Sequence, residues 1–257
     1  MKIIVLVKEV PDTYGDRKLS LETGLADRSA GDVVLDEIGE RATEVALSYA
    51  DAHPDTEVIV LCMGPAGAVG TVRKGLAMGA AQGVHIVDDD LLGADLGLTA
   101  EVLAAAASRI GFDLVITGNV STDGGGGVIP AMIAELLNVP HATALVSVEI
   151  SEQAVTGERT TDGGSMSVSA DLPAVISITE RMPDGRFPNF KGIMAAKKKP
   201  LETLSLADLG VDPDSSASRS IMISVAEKPP RAAGVRITDE GDAGEKIADF
   251  LAQNRLL

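Results

Sequence analysis

The chain is predicted to adopt an α/β fold, a doubly wound, mostly parallel sheet with antiparallel hairpins and a C-terminal arm. Three observations predict it. Short β-branched apolar runs alternate with stretches of helical period as far as His141, the period then drops to two, and apolar density falls after Pro200.

The runs Ile3 to Val7, Val58 to Cys62, Val84 to Val87 and Leu114 to Thr117 have the length and branching of buried parallel strands. Between the first two, Ile38, Ala42, Val45 and Tyr49 recur at helical spacing, with Glu40, Arg41, Glu44 and Ser48 on the opposite face. Gly67 to Met78 and Gly97 to Ile110 read as further helices. Val128 to Asn138 reads as another, with Pro130 in the first turn, where a missing N–H is harmless. After His141, Leu145 to Ile150, Ala154 to Thr160, Ser165 to Ala170 and Ala174 to Thr179 read as strands of antiparallel hairpins, with turns at 151–153 and 162–164. Past Pro200, Pro229 and Pro230 mark an extended spacer, and Glu245 to Leu251 forms one short amphipathic helix. The division that follows is an α/β domain over 1–200, including a distinctive segment at 180–199, and an extended C-terminal arm over 201–257 expected to lie on another subunit. From composition alone, a disordered tail is an equal reading of the arm.

With 257 residues and 45% hydrophobic content, the chain can bury a full core. Its net charge of -16 and lack of a broad basic face argue against a nucleic-acid partner. A single cysteine, Cys62, cannot form an internal disulfide, and the opening residues do not read as a signal peptide. No apolar run reaches the ~20 residues that cross a bilayer. A cytoplasmic location is expected, and an integral membrane protein is not.

Catalytic parts are hard to find. His53, His85 and His141 are scattered, no metal-ligand spacing occurs, and Cys62 reads as a small core residue ending a strand. Neither a nucleophile elbow nor a Walker-type phosphate loop is present. The Gly118 to Gly127 stretch is different, because a strand there runs into a polar, glycine-rich loop that opens a helix at Val128. Glycines let backbone N–H groups approach an anion, and the helix start adds unpaired donors. Ser121 and Thr122 supply hydroxyls, while Asp123 would repel a phosphate and so orients the loop, caps a turn or meets a sugar hydroxyl. Nucleotide binding and a plain surface loop both fit these residues. The loops Lys8 to Tyr14 and Met63 to Ala66 also follow strand ends and should converge on the same crevice.

The segment I-T-E-R-M-P-D-G-R-F-P-N-F-K-G-I-M-A-A-K-K-K-P, from Ile178 to Pro200, holds two of the four phenylalanines. Pro183, Asp184, Gly185 and Pro188 break regular structure, which puts Phe187 and Phe190 on irregular backbone. They point either to a partner's pocket or to a loop folded back on the domain. Lys197, Lys198 and Lys199 are a solvated face or a steering patch.

This segment, with Glu180-Arg181, Pro-x-x-Arg-aromatic and Ile-Met-x-Ala-Lys-Lys-Lys in order, resembles the signature of the electron transfer flavoprotein β subunit, or FixA family. The likeness continues in K-E-V-P-D, in G-P-A-G-A-V-G-T-V-R-K-G-L-A-M-G-A and in G-N-V-S-T-D-G-G-G-G, and so covers nearly the whole chain. It implies an adenine-nucleotide α-hydrolase-like sheet that binds AMP at Leu6, Asp36, Met63, Gly118, Asn119, Val120, Ser121, Thr122, Asp123, Gly124, Gly125, Gly126, Gly127 and Val128. Departures occur at Asp36, Glu37 and Ile38, where relatives often carry Asn-Pro-Phe, and at Val120, where Gln is common. Gly125 to Ile129 lacks the D-x-D-T-x-Q-V pattern of relatives that hold a second FAD, so the resemblance implies AMP.

The redox FAD of the family sits chiefly on the α subunit, and this chain has no G-x-G-x-x-G after its first strand. Thr13, Tyr14 and Ile38 are the implied neighbours of that flavin. Thr13 stands where relatives carry a tyrosine, and Thr160, beside Arg159, stands where many have an acid. Arg186, Phe187, Phe190, Ile193 and Met194 are the implied recognition residues, with Phe190 as apolar anchor. The implied function is electron carriage in a heterodimer with the α subunit, from acyl-CoA dehydrogenases of fatty acid β-oxidation and related flavin dehydrogenases to ETF:quinone oxidoreductase, without catalysis by this chain. Its rivals are an adenylate-forming or ATP-cleaving enzyme and a nucleotide-sensing module of universal-stress-protein type.

Overall fold

The computed structural model describes residues 1–214, 220–234, 236 and 238–256. It divides into two units, Met1–Ser224 and Val225–Leu257.

The first unit is built on a nine-stranded sheet. Its strands are β1 (Lys2–Leu6), β4 (Glu57–Met63), β5 (Gln82–Ile86), β6 (Leu114–Gly118), β7 (His141–Ile150), β8 (Ala154–Thr161), β9 (Gly164–Asp171), β10 (Ala174–Ile178) and β11 (Leu201–Leu204), while β2 (Glu9–Pro11) and β3 (Val33–Leu35) pair separately. The order across the large sheet is β11-β5-β4-β1-β6-β10-β7-β8-β9. All neighbours from β11 to β7 are parallel, and β7-β8-β9 is an antiparallel meander. The α/β, mostly parallel prediction therefore holds.

Alternation along each strand feeds two cores. Ile3, Val5, Val58, Val60, Leu114 and Ile116 meet α1 (Glu37–Ala52) and α2 (Val69–Met78) on one face. Ile4, Ile59, Leu61, Val84 and Val115 meet α3 (Leu96–Ile110) and α4 (Ile129–Leu137) on the other. Helices on both faces make the sheet doubly wound.

The helices begin where local chemistry favours them. Asp36 and Asp95 cap α1 and α3 by accepting from the Ile38 and Leu98 amides, and Pro130 lies in the first turn of α4. The buried stripe of α1 is Ile38, Gly39, Ala42, Thr43, Ala46 and Leu47, so Val45 and Tyr49, expected on it, lie at its margin. A 3-10 turn at Ala66–Ala68 precedes α2, which accordingly starts later than Gly67.

Two sequence expectations are corrected. Ala174 to Thr179 was expected in a hairpin, but β10 lies in the sheet interior, parallel to both β6 and β7. It is buried at every position, and a wholly buried A-V-I-S-I run suits a central parallel strand better than a half-exposed hairpin. The sheet also continues past Pro200: β11 adds in parallel to β5, followed by the one-turn α6 (Leu206–Leu209). The first unit thus extends to Ser224 rather than ending at 200. The second unit contains α7 (Ala243–Gln253), which brackets the helix expected over Glu245 to Leu251. Among the described residues no helix is long and apolar enough to cross a membrane.

Candidate functional site

Chain order runs from β1 outward through β4 to β5 on one side and resumes at β6 on the other. In open parallel sheets such a reversal leaves a crevice beyond the strand C-termini. Here the crevice is a cavity of about 1320 Å³. Leu6, Lys8, Met63, Gly64 and Pro65 line it from the ends of β1 and β4, and Gly118, Asn119, Val120, Ser121, Gly124, Gly126 and Gly127 from the end of β6.

The glycine-rich loop is held from beneath. Asp36 is buried, and its Oδ2 accepts from the Thr122 amide at 2.8 Å and the Thr122 hydroxyl at 2.9 Å while Oδ1 caps α1. Gly125 and Gly127 have φ of +63° and +67°, a region open to glycine at no steric cost. Gly118 allows another close approach, because a Cβ there would stand 2.9 Å from the Ile38 Cγ2. No side chain caps the N-terminus of α4, which leaves its first amides for other acceptors.

Charge gathers behind this loop. Lys8 Nζ donates to Asp123 Oδ1 at 2.7 Å and to Ser121 Oγ at 3.3 Å, Arg28 stands 3.8 Å from Asp123 Oδ2, and Arg17 donates to the Thr122 carbonyl. Burial would raise the Asp123 carboxyl, but hydrogen bonds from Lys8 and Ser121, the Lys8 charge and the Gly124 amide hold it below the usual carboxylate range. Two buried atoms in the cavity lining, Arg28 Nε and Asn119 Oδ1, have no hydrogen-bond partner among the described residues.

Of the residues expected at a nucleotide, Leu6, Asp36, Met63, Gly118, Asn119, Val120, Ser121, Gly124, Gly126 and Gly127 line the cavity, whereas Thr122, Asp123, Gly125 and Val128 do not. Asp36 and Asp123 act through the loop, since their carboxylates bond to protein groups. Thr13 and Tyr14 are exposed outside the cavity. Ile38, expected near a flavin, is a core side chain packed under Gly118. Lys8, Arg17 and Arg28 were not singled out as ligands or supports. Lys8 was within reach, as it closely follows a strand end at the sheet edge where ligands gather. The two arginines come from the long β2–β3 loop, and only tertiary folding brings them to the glycines.

Other reactive groups are structural. Cys62 is fully buried, and burial pushes its thiol up to about 12, so it stays a protonated core residue. His85 is buried, and desolvation lowers its pKa, while His53 stacks on Tyr49 with ring centroids 4.0 Å apart. Among the described residues no group of His, Cys, Asp and Glu is placed to hold a metal.

A second feature lies on the α1–α2 side. Phe187 is 96% exposed and Phe190 79% exposed, with Ile193 and Met194 half exposed beside them. Phe190 is not on irregular backbone as expected: Asn189 caps the helix α5 (Phe190–Ala196) by accepting from the Gly192 amide. Arg186, an expected recognition residue, is bound to α1, where Nε and Nη2 donate to Glu44 at 2.8 Å each and Nη2 donates to Asp51 at 2.9 Å. Lys199 donates to the Leu76, Gly79 and Ala80 carbonyls at the C-terminus of α2, and burial lowers its pKa. Arg73 ties the same helix to the Ala196 carbonyl. The apolar groups therefore project from a firmly bolted segment.

Comparison with known proteins agrees with this architecture. Residues 24–209 match the Electron transfer flavoprotein domain. The chain is 45% identical to the "Electron transfer flavoprotein subunit beta" of Mycobacterium leprae, with 99% of each chain covered. It is 31% identical to the subunit of the same name from Bacillus subtilis, covering 98% of this chain and 96% of the other. Identity is also 31% to the "Caffeyl-CoA reductase-Etf complex subunit CarD" of Acetobacterium woodii, covering 93% and 92%. Matched along nearly its whole length to such subunits, with the shared domain covering residues 24–209, the chain belongs to the electron transfer flavoprotein family as a β subunit.

Proposed function

We propose that this chain is the β half of a heterodimeric electron carrier, with an α subunit as partner. The carrier takes electrons from acyl-CoA dehydrogenase-type flavoenzymes and passes them to a quinone reductase. The observation that carries this reading is the exposed Phe187–Phe190–Ile193–Met194 surface on a clamped segment. Large apolar side chains held rigidly in water suit a transient partner, because little ordering entropy is lost on docking.

AMP fits the cavity. It has ample volume, loop and helix amides for a phosphate, two cations, and an unpartnered acceptor on Asn119 for a hydroxyl or amine of the ligand. FAD, when bound, supplies the redox chemistry. Thr13 and Tyr14 are exposed, which suits edge contacts to a flavin held mainly on the α subunit.

Replacing Phe190 by Ala is expected to raise the KM for the carrier at least tenfold in an acyl-CoA dehydrogenase assay while leaving kcat near its original value. That corresponds to loss of an apolar anchor of roughly 1.5–2 kcal/mol or more. Unchanged kinetics would remove the docking role.

A further inference from the structure

The two edges of the large sheet are guarded differently. An edge strand offers a row of unpaired amides and carbonyls, and soluble chains blunt it with charge, proline, a bulge or brevity. At one edge β11 runs for only four residues, follows Pro200 and carries Glu202 in an ion pair with Arg109 at 3.3 Å. At the other edge β9 runs for eight residues, and Gly164 to Ala170 contain neither a charged residue nor a proline. It pairs with β8 residue for residue, from Thr161 and Gly164 to Ala154 and Asp171, without a bulge. β9 therefore lacks every one of these guards.

The groups that face the open side follow from the neighbouring bonds. The Glu158 amide turns towards β7, where it donates to Ser147 Oγ, so Ser167, its partner on β9, turns its own backbone outward. The Leu172 amide donates to the Gln153 carbonyl, which fixes the same phase from the other end of β9. Successive residues of an antiparallel strand alternate between its two sides, so the amides and carbonyls of Ser165, Ser167 and Ser169 all point away from β8. Among the described residues no strand lies beside them. The three serines are exposed, whereas Val168 and Ala170, on the opposite face, pack on the core.

We propose that β9 is the attachment edge for a strand of the α-type subunit, which continues the sheet through hydrogen bonds to Ser165, Ser167 and Ser169. In such strand addition the backbone supplies affinity and alternate side chains supply selectivity. The added strand is polar on the face that meets the serines and apolar on the face that meets Val168 and the half-exposed Met166. A second copy of this chain suits the edge poorly. A net charge of -16 on each copy opposes their association, and one strand covers far less than the roughly 1,200 Å² of a stable interface, so the occupant is a partner held through other surfaces as well. The inference rests on the heterodimer reading above and adds to it the place on this chain where the partner joins.

The test uses the full-length chain coexpressed with its α-type partner. Hydrogen exchange resolved to single amides should find Ser165, Ser167 and Ser169 of the heterodimer about a hundredfold slower than unstructured backbone. Ser167→Pro removes one outward amide and spares the ladder to β8, so it should keep the melting temperature and weaken the α-type subunit about tenfold. Ser167→Ala, which keeps the amide, should bind as the original does. Should Ser167→Pro not fold, exchange in the original pair decides alone. Fast exchange at the three amides of an intact heterodimer, or undiminished binding by folded Ser167→Pro, overturns the inference while the heterodimer reading stands. Protection in an assembly of two copies of each chain, which Ser167→Pro reduces to one of each, gives the edge to a second copy and also overturns it. Failure of the original chain to copurify with the α-type subunit overturns both.

Discussion

At the scale of single residues, the chain shows how one atom decides a contact. Gly192 lies where α5 meets α2, and a Cβ there would sit 2.5 Å from the Ala77 carbonyl oxygen. Backbone cannot yield as a flexible side chain can, so α5 would have to lift. Gly192→Ala is expected to cost about 1–3 kcal/mol in a urea melt. It should also raise the KM for dehydrogenase partners, because the apolar surface around Phe190 rides on that helix. A melt and a KM that both stay unchanged would show that the close approach does not position the segment. Asp36 carries a related lesson: its side chain stands in the candidate site, yet it joins the α1 N-terminus to the glycine-rich loop and leaves ligand contact to others.

Among the elements, the glycine-rich loop and the segment carrying α5 are both held by carboxylate–cation contacts, with consequences in acid. Burial would raise the Glu44 carboxyl, but hydrogen bonds from Arg186 and Ser48 hold it below its ordinary value of 4.5. Asp123 is likewise held below 3.8. Around pH 4 the folded state therefore binds fewer protons at these groups than the unfolded chain. Their stabilisation is complete above that range and is lost as pH falls through the depressed folded values. Melting temperature should fall between pH 5 and 3, and Glu44→Gln, which cannot titrate, should show a shallower fall from a lower starting point. An identical acid profile for the variant would mean that the Glu44–Arg186 pair contributes nothing to it. The element boundaries follow from local chemistry where caps occur, as at Asp36, Asp95 and Asn189. Sequence period missed the parallel pairing of β10, because twofold alternation cannot distinguish a hairpin strand from one buried between parallel neighbours.

For the whole molecule, the second unit is proposed as the arm that meets the α subunit. Its helix α7 exposes Ile247 and Phe250, which lie on one helical face. Ile247→Asp with Phe250→Asp should abolish copurification with an α-type subunit while preserving the melt of the sheet unit; retained copurification would rule out this helix as the contact. Much of the molecule was legible in its residues. The alternation of β-branched runs with amphipathic stretches identified the class, the glycine-rich turn after β6 marked one wall of the cavity, and the Phe187–Phe190 segment stood out from the scarcity of aromatics. These signals are local, since each arises from backbone preference or from the period at which apolar groups recur along one element. Only the tertiary structure decided that β10 enters the sheet between β6 and β7, that β11 extends the opposite edge, that Ile38 belongs to the core, and that Arg186 serves α1. It also brought Lys8, Arg17 and Arg28 to Asp123 and the loop around it, because pairings between residues about a hundred positions apart depend on how the strands are ordered in space, which no local pattern encodes.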